Sequence, residues 1–286
     1  MSKKNLLICF DAFGTLFQPR RPVAQQYAEV ANSLGLHHVT EDAVQSSFKA
    51  AFKKESKQNP NYGKTNGMNA ERWWTNIIRN TFQPLLRSNE QLPSELIPKL
   101  LHRFWSNEGY MLFPDVPLVL RGVRNLQSLR YDRVVVGVIT NSDDRVPDVL
   151  ASLGLKVSPL RYGTQQQNLG GHSGNWDIDF SVMSYDVGHE KPDLRIFDAA
   201  EEMSMAVHGA GESSWEKIYV GDEYDKDVVG AISAGWNAIL ISVEKQSQDS
   251  KLEWRDEQEP GSLQELFQSS KAVGFKSLSR LAEWLR

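Results

Sequence analysis

Residues 6–16 decide the fold, and they read Leu6-Leu7-Ile8-Cys9-Phe10-Asp11-Ala12-Phe13-Gly14-Thr15-Leu16. Five consecutive apolar residues followed by a turn-forming segment are typical of a strand that is buried on both faces, as in a parallel sheet. Asp11 directly follows this run, so the pattern predicts a carboxylate at the carboxyl end of a parallel strand. Open α/β sheets bind their ligands at that edge.

Three later stretches also place polar groups beside strands or in loops. Val134-Val135-Val136-Gly137-Val138-Ile139 precedes Thr140 and Asn141, and Gly188-His189-Glu190-Lys191-Pro192-Asp193 carries a lysine before a proline. Tyr219-Val220-Gly221 leads into an acidic loop that contains Asp222 and Asp227. Each stretch alone is a weak signal, because turns and acidic loops are common at strand ends.

In this order, the four stretches resemble the motifs of the haloacid dehalogenase superfamily of hydrolases, and the resemblance covers nearly the whole chain. Asn59-Pro60-Asn61-Tyr62-Gly63, followed by Trp73-Trp74, is similar to one branch of it, the haloacid dehalogenase-like hydrolase domain-containing protein 3 branch. The resemblance implies an enzyme.

The resemblance also implies three catalytic residues. Asp11 would be the nucleophile and would form a covalent aspartyl intermediate, which divides one difficult displacement into two easier steps. The Thr140 hydroxyl and the backbone N–H of Asn141 would bind a phosphoryl oxygen of the substrate. Lys191 would offset the negative charge of nucleophile and substrate.

Mg²⁺ is the cofactor that the acidic loop predicts. Carboxylates of Asp222 and Asp227 that converge with Asp11 would repel one another unless a cation compensates, and an oxygen-rich site of this kind suits Mg²⁺. The resemblance implies a metal contact for Asp222 and a direct or supporting role for Asp227. It also implies a metal ligand at the backbone carbonyl of Phe13.

Phe13 departs from the family pattern, because most phosphatases of the superfamily carry a second aspartate at this position. That aspartate protonates the leaving oxygen and then activates water, and a phenyl ring can do neither. Loss of a general acid or base costs about 10²- to 10⁴-fold in rate. Another side chain would then have to act as the general acid and base. The candidates are His37, His38, Tyr62 and His189, and the sequence gives no reason to choose among them.

Three functions therefore remain open. The favoured one is a Mg²⁺-dependent phosphohydrolase acting on a phosphorylated metabolite with a good leaving group. The second is a 2-haloacid dehalogenase, since L-2-haloacid dehalogenases have an aromatic residue at the position of Phe13. In that case Arg20 and Arg21 would hold the substrate. The paired Asp222 and Asp227 argue against this function. The third is a catalytically weak or inactive protein that binds a metabolite or another protein.

The pattern of apolar residues predicts a doubly wound, Rossmann-like α/β core with a parallel sheet over residues 1–20 and 111–286. Residues 21–110 show helical periodicity without a buried-strand signal, and the resemblance implies that they form an inserted cap domain. A helical layer packed on the sheet would show the same periodicity. Residues 163–175 and 244–262 are polar and are expected to be surface loops.

Composition sets further bounds on the class of protein. A chain of 286 residues that is 40% hydrophobic and 24% charged can bury a large core. A net charge of -4 argues against a nucleic-acid partner. Cys9 is the single cysteine, which excludes an internal disulfide and fits a reducing compartment. Because no apolar run is long enough to span a bilayer, we expect no membrane partner and a cytoplasmic location, with the nucleus also compatible.

Overall fold

The computed structural model describes residues 4–164, 175–208, 214–242 and 252–285. The chain divides into two compact units, which are called here the sheet unit and the helical unit. The sheet unit comprises residues 1–18, 112–141 and 155–286, and the helical unit comprises residues 19–111 and 142–154.

A parallel sheet forms the centre of the sheet unit, and seven strands belong to it within the described residues, in the order β5-β4-β1-β6-β7-β9-β8. Two short strands, β2 and β3, pair separately. The strands are β1 (Lys4–Phe10), β2 (Phe17–Pro19), β3 (Tyr110–Leu112), β4 (Tyr131–Thr140), β5 (Phe180–Met183), β6 (Trp215–Gly221), β7 (Asn237–Ile241), β8 (Glu253–Trp254) and β9 (Ala272–Phe275).

The inner position of β1 explains its sequence. It pairs with β4 on one side and with β6 on the other, and Leu6 to Phe10 are all buried. This stretch has neighbours on both edges and packed layers on both faces, so all five of its side chains are apolar. The next polar side chain therefore follows the end of the strand. The predicted buried strand and the predicted α/β fold class are thus confirmed.

Helices cover the sheet and make up most of the helical unit. In the sheet unit, α5 packs on β4, and α8 packs on β4 and β5. The helices are α1 (Val23–Ser33), α2 (Glu41–Gln58), α3 (Ala70–Phe82), α4 (Leu96–Arg103), α5 (Val116–Leu129), α6 (Val146–Ser152), α7 (Ser184–Val187), α8 (Leu194–His208), α9 (Val229–Ser233) and α10 (Leu278–Glu283), with a π-helical turn at Tyr224–Val228 and 3₁₀ turns at Asn61–Asn66, Gln83–Leu85 and Glu265–Phe267.

Two sequence-based boundaries differ from the structure. Residues 142–154, which the prediction placed in the core, belong to the helical unit. The interpretation of residues 21–110 as a cap stays a prediction. The expected loop over 244–262 is wrong at Glu253–Trp254, which pair with β9 and extend the sheet; a strand of two residues gives too little alternation to be recognised in sequence. Of the two predicted loops, residues 165–174 and 244–251 lie outside the described part of the chain.

A buried ion pair between Asp143 and Arg145 lies inside the helical unit. The guanidinium group contacts both carboxylate oxygens, with Nε to Oδ1 at 2.7 Å and Nη2 to Oδ2 at 2.8 Å. Trp74 donates its indole N–H to Asp143 over 2.7 Å, and its ring lies 4.5 Å from the Arg145 guanidinium carbon. Arg145 also donates to the backbone carbonyl of Phe104 over 3.2 Å. Burial lowers the pKa of Arg145, but Asp143 outweighs it and raises the pKa.

None of the helices in the described residues combines the length and the apolar character that crossing a membrane requires.

Candidate active site

Lys191 is the centre of a buried polar group at the carboxyl edge of the sheet. Its Nζ lies 2.7 Å from Asp227 Oδ1, 3.1 Å from Asp11 Oδ1 and 2.6 Å from the Tyr219 hydroxyl. The side chain is only 1% exposed. Burial lowers the pKa of Lys191, but the Asp11 and Asp227 carboxylates outweigh burial and raise the pKa above its usual value. The lysine is therefore held as a cation.

Tyr219 orients this lysine, and sequence reasoning missed it. Its hydroxyl accepts a hydrogen bond from Lys191 and donates one to the backbone carbonyl of Ile139 over 2.7 Å. Burial, followed by the charges of Asp227 and Asp11, raises the pKa of Tyr219 well above its ordinary value, so the phenol stays protonated. A tyrosine between Ile218 and Val220 in a strand was the available signal, because a buried hydroxyl needs a partner.

Asn141 fixes the loop that carries the lysine. Its amide oxygen accepts from the backbone N–H of Lys191 over 2.6 Å, and its amide nitrogen donates to the backbone carbonyl of Lys191 over 3.0 Å. The side chain is thus committed to the protein backbone. The substrate contact predicted for Asn141 would come from its own backbone N–H, and that contact stays a prediction.

Asp11 is buried immediately beyond β1, where its backbone N–H donates to the carbonyl of Val220 over 2.8 Å. Burial raises the pKa of Asp11, and so does the charge of Asp227. Lys191, the Thr140 hydroxyl and the backbone N–H of Ala12 act in the opposite direction by stabilising the carboxylate. The three predicted catalytic residues, Asp11, Thr140 and Lys191, are therefore brought together.

Asp222 lies across the turn that follows β1. Thr15 donates its hydroxyl to Asp222 Oδ1 over 3.1 Å. Gly14 has a φ of +87°, and a Cβ at this position would lie 2.3 Å from Asp222 Oδ2, so both the backbone conformation and the space require glycine. Burial and the charges of Asp11 and Asp227 raise the pKa of Asp222 to about 7.

Asp227 has both carboxylate oxygens engaged by the protein. Oδ1 accepts from Lys191, and Oδ2 accepts from the backbone N–H of Glu223 over 2.8 Å. Gly221 permits this approach, because a Cβ there would lie 2.3 Å from the Asp227 carboxyl carbon. These contacts suit a residue that positions Lys191.

The acidic side chains meet the basic requirement of a metal site. One carboxylate oxygen from each of Asp11, Asp222 and Asp227 lies within 4.8 Å of the other two. Three carboxylates face one lysine, which leaves an excess of negative charge. Burial raises the pKa of Asp222 most, and the charges of Asp11 and Asp227 raise it further. Carboxylate oxygens are the donors that Mg²⁺ prefers, so the residues present fit this ion.

Phe13 lies in the turn beside Asp11, and its side chain is 51% exposed. Its ring contacts Phe17 edge to face, with ring centroids 6.0 Å apart. The side chain therefore offers no proton donor next to the nucleophile. The predicted metal contact from its backbone carbonyl stays a prediction.

Arg20 and Arg21, the predicted substrate-binding arginines, lie in the helical unit and are exposed. Arg20 donates from Nε to the backbone carbonyl of Asn107 over 2.6 Å, and Arg21 pairs with Glu29 over 2.6 Å. These contacts hold both guanidinium groups on protein partners, and a role in substrate binding stays a prediction.

The parallel sheet, with carboxylates and a lysine at its carboxyl edge, places the chain among Rossmann-like α/β proteins with an acidic site at that edge. A family model described as haloacid dehalogenase-like hydrolase matches residues 6–235. The chain belongs to this family, as the resemblance of its four motifs predicted.

Similar proteins support the same family and branch. An uncharacterized hydrolase of Schizosaccharomyces pombe is 32% identical over 241 residues, which cover 84% of this chain and 92% of the relative. Haloacid dehalogenase-like hydrolase domain-containing protein 3 of Danio rerio is 29% identical over 259 residues, covering 91% of this chain and 93% of the relative. The branch predicted from the sequence is confirmed.

One solved structure with a similar fold is that of the defluorinating L-2-haloacid dehalogenase Rha0230. It aligns with a TM-score of 0.55 at 16% identity and covers 99% of this chain and 95% of its own. At this level of identity, the likeness concerns the fold alone.

Proposed function

We propose that this chain is a Mg²⁺-dependent phosphohydrolase that forms an aspartyl phosphate on Asp11 and acts on small phosphorylated molecules with good leaving groups. The observation that carries the proposal is the meeting of Asp11, Asp222 and Asp227 within 4.8 Å, with Lys191 as their cationic neighbour. A hydrolase that attacks carbon needs a nucleophile but gains nothing from the additional, uncompensated carboxylate of Asp222.

In the first step, one Asp11 carboxylate oxygen forms a bond to phosphorus while the bond from phosphorus to the leaving oxygen breaks. Thr140 holds the Asp11 carboxylate, and Lys191 offsets the charge that attack brings onto the phosphoryl oxygens. Bound Mg²⁺, held by Asp11 and Asp222, would supply further charge neutralisation. In the second step, water attacks phosphorus, the bond from phosphorus to Asp11 breaks, and the carboxylate is restored.

Phe13 limits the substrates that this chemistry can use. Without a carboxylic acid at this position, the leaving oxygen departs as an anion, which is easy for acyl and aryl phosphates and difficult for alkyl phosphates. The same absence slows the second step, because no base at position 13 activates water. We therefore propose a slow enzyme with a preference for acidic leaving groups.

The exposed aromatic ring of Phe13 favours a second candidate, a 2-haloacid dehalogenase. Asp11 would then attack carbon, and halide would leave without protonation, so no acid would be needed. The three converging carboxylates disfavour this chemistry, because they would repel a carboxylate substrate unless a metal ion were bound.

The experiment that tests the proposal measures phosphate release from acetyl phosphate, p-nitrophenyl phosphate and glycerol 3-phosphate, and halide release from 2-chloropropionate, with and without Mg²⁺. Asp11→Asn is the blank, because it preserves shape and removes the nucleophile. We expect Mg²⁺-dependent phosphate release, fastest with the first two substrates and abolished in the blank. Metal-independent halide release would instead establish the dehalogenase, and absence of both reactions would indicate a binding protein.

A further inference from the structure

A cavity of about 240 Å³ lies in the sheet unit next to the acidic group. Residues that follow four neighbouring strands line it: Gly14 and Thr15 after β1, Asp222 after β6, Ser242 after β7, and Lys276 after β9. This is the edge at which open α/β sheets bind ligands. One liquid water occupies about 30 Å³, so the cavity offers the space of a small metabolite.

Two charged residues of opposite sign on the wall of this cavity have no ionic partner among the residues that the structure describes. Asp115 occupies the N-cap position of α5, yet its side chain makes no capping hydrogen bond. An N-cap aspartate usually accepts a hydrogen bond from the first turn of its helix, so this carboxylate remains available. Lys276 is exposed and forms no ion pair with Asp115 or with another described residue.

The rest of the wall is mainly apolar. Phe113, Ile241 and Leu278 contribute side chains that are buried or half-buried. The Ser277 hydroxyl is already engaged, since it accepts from the backbone N–H of Arg280 at the start of α10 and pairs with Ser279. The cavity therefore combines two carboxylates, of Asp115 and Asp222, with one ammonium group, of Lys276, and an aliphatic and aromatic surface.

Charge decides which class of molecule fits. A simple anion would be opposed by Asp115 and Asp222, and a simple cation would pair with these carboxylates but leave the Lys276 ammonium without a partner. A zwitterion carries an ammonium for the carboxylates and a carboxylate for the lysine. An aliphatic body would cover the apolar wall.

We propose that this cavity binds a small zwitterion with an aliphatic body, of the chemical class of the aliphatic amino acids. The ligand carboxylate pairs with Lys276, the ligand ammonium pairs with Asp115, and the aliphatic part packs on Phe113, Ile241 and Leu278. The proposed contacts use neither Asp11 nor Lys191, and Asp222, which also lines the cavity, is assigned to the metal and not to this ligand, so the site would stand even if the chain had no phosphatase activity.

The test is calorimetric titration of the full chain, in saturating Mg²⁺, with L-leucine as the probe. Isocaproate lacks the ammonium, isoamylamine lacks the carboxylate, and glycine lacks the aliphatic body. We expect saturable binding of L-leucine, at least about tenfold tighter than that of the other three, since a lost charged contact or the loss of the aliphatic body weakens binding by about this factor or more. Equal binding of isocaproate, or no saturable binding of L-leucine, would overturn the proposal.

Variants identify the residues that bind. Lys276→Met and Asp115→Asn should each weaken L-leucine binding at least about tenfold, whereas Lys276→Arg keeps the charge and should retain most of it. Asparagine is also a good N-cap residue, so Asp115→Asn preserves the start of α5. Lys271→Met is the matched control, because Lys271 is an exposed lysine next to β9 that does not line the cavity. Unchanged binding in folded Lys276→Met, as judged by thermal unfolding, would contradict the assignment.

Discussion

The two units each contain a buried group of charged side chains, and the two groups differ in their ratio of positive to negative charges. In the helical unit, Arg145 faces one carboxylate, Asp143, and the tryptophan and carbonyl partners around the pair complete its hydrogen bonds. In the sheet unit, Lys191 contacts Asp11 and Asp227 directly, and Asp222 adds a third carboxylate within 4.8 Å.

This difference separates a structural ion pair from a reactive site. A balanced and fully hydrogen-bonded pair has nothing left to offer a ligand, so its removal is expected to affect the stability of the fold. An excess of carboxylates raises the free energy of the folded, metal-free protein and creates affinity for a cation or an electrophile. Burial is the largest cause of the raised pKa of Asp222, and the charges of Asp11 and Asp227 add to it.

The largest expected effect comes from adding one more carboxylate to the unbalanced group. Phe13→Asp should restore a general acid and base beside Asp11 and raise the rate of glycerol 3-phosphate hydrolysis by about 10²- to 10⁴-fold. The measurement is steady-state phosphate release in Mg²⁺. Phe13→Asn is the control, since it is polar but cannot transfer a proton, and an equal gain in that variant would show that removal of the ring alone causes the effect.

Removing the cation from the balanced pair should reduce stability. Arg145→Met leaves Asp143 as a buried, unpaired carboxylate, and we expect a loss of about 3–5 kcal/mol in the free energy of unfolding. Urea unfolding followed by circular dichroism measures it. Arg195→Met breaks an ion pair in which the arginine side chain is 60% exposed, and it should change the free energy of unfolding far less than Arg145→Met does. Similar losses in the two variants would refute the assignment of Arg145 as a buried structural cation.

Removing the cation from the unbalanced group should reduce activity. Lys191→Met takes away the ammonium that offsets charge on Asp11 and the substrate, and we expect kcat to fall by about 10²- to 10³-fold. Lys226→Met removes a lysine of the acidic loop that pairs with Glu223 and is 44% exposed, so it serves as the matched control. If kcat in Lys191→Met were the same as in the unchanged protein, the essential cation would have to be a different residue.

The smallest expected effect concerns pH. The pKa of Asp222 in the folded, metal-free protein is about 7, above the value near 4 expected for an unfolded chain. Between these pH values the unfolded state releases the proton first, so Asp222 lowers stability progressively as pH rises from about 4 to about 7. Asp222→Asn should therefore stabilise the metal-free protein by about 1 kcal/mol at pH 8 and have little effect at pH 4.

Urea unfolding in EDTA at both pH values tests this prediction. Asp225→Asn is the control, because Asp225 is an exposed carboxylate of the same loop. If Asp222→Asn destabilised the protein at pH 8, the carboxylate would be a net stabilising group, and the contrast between the two charge clusters would fail.

Sequence alone predicted those site residues that lie at the ends of predicted strands. The apolar runs before Asp11 and Thr140 marked parallel strands, and the carboxyl ends of such strands meet at one edge of the sheet, so these two side chains had to lie close together. Lys191 and Asp222 were found through the order of motifs, because no local pattern shows that a loop lysine reaches a distant carboxylate.

The contacts that sequence could not reveal join residues far apart in the chain. Tyr219 bonds to Lys191 and to Ile139, and Thr15 bonds to Asp222 across a separation of 207 residues. These pairings depend on strand register and on side-chain direction, which single-sequence periodicity does not carry. The ion pair between Asp143 and Arg145 was missed for the same reason, since its surroundings come from Trp74 and Phe104.

The central position of β1 also has a consequence for how the chain is synthesised. Leu7 lies in register with Val135 on one side and with Lys217 on the other, so the strand that carries Asp11 leaves the ribosome well before either neighbour exists. At ordinary rates of translation, the second neighbour follows roughly 10 to 40 s later. At least one edge of this apolar strand stays unpaired during that interval, and both do until β4 is made, so β1 is exposed to edge-to-edge pairing with other nascent chains.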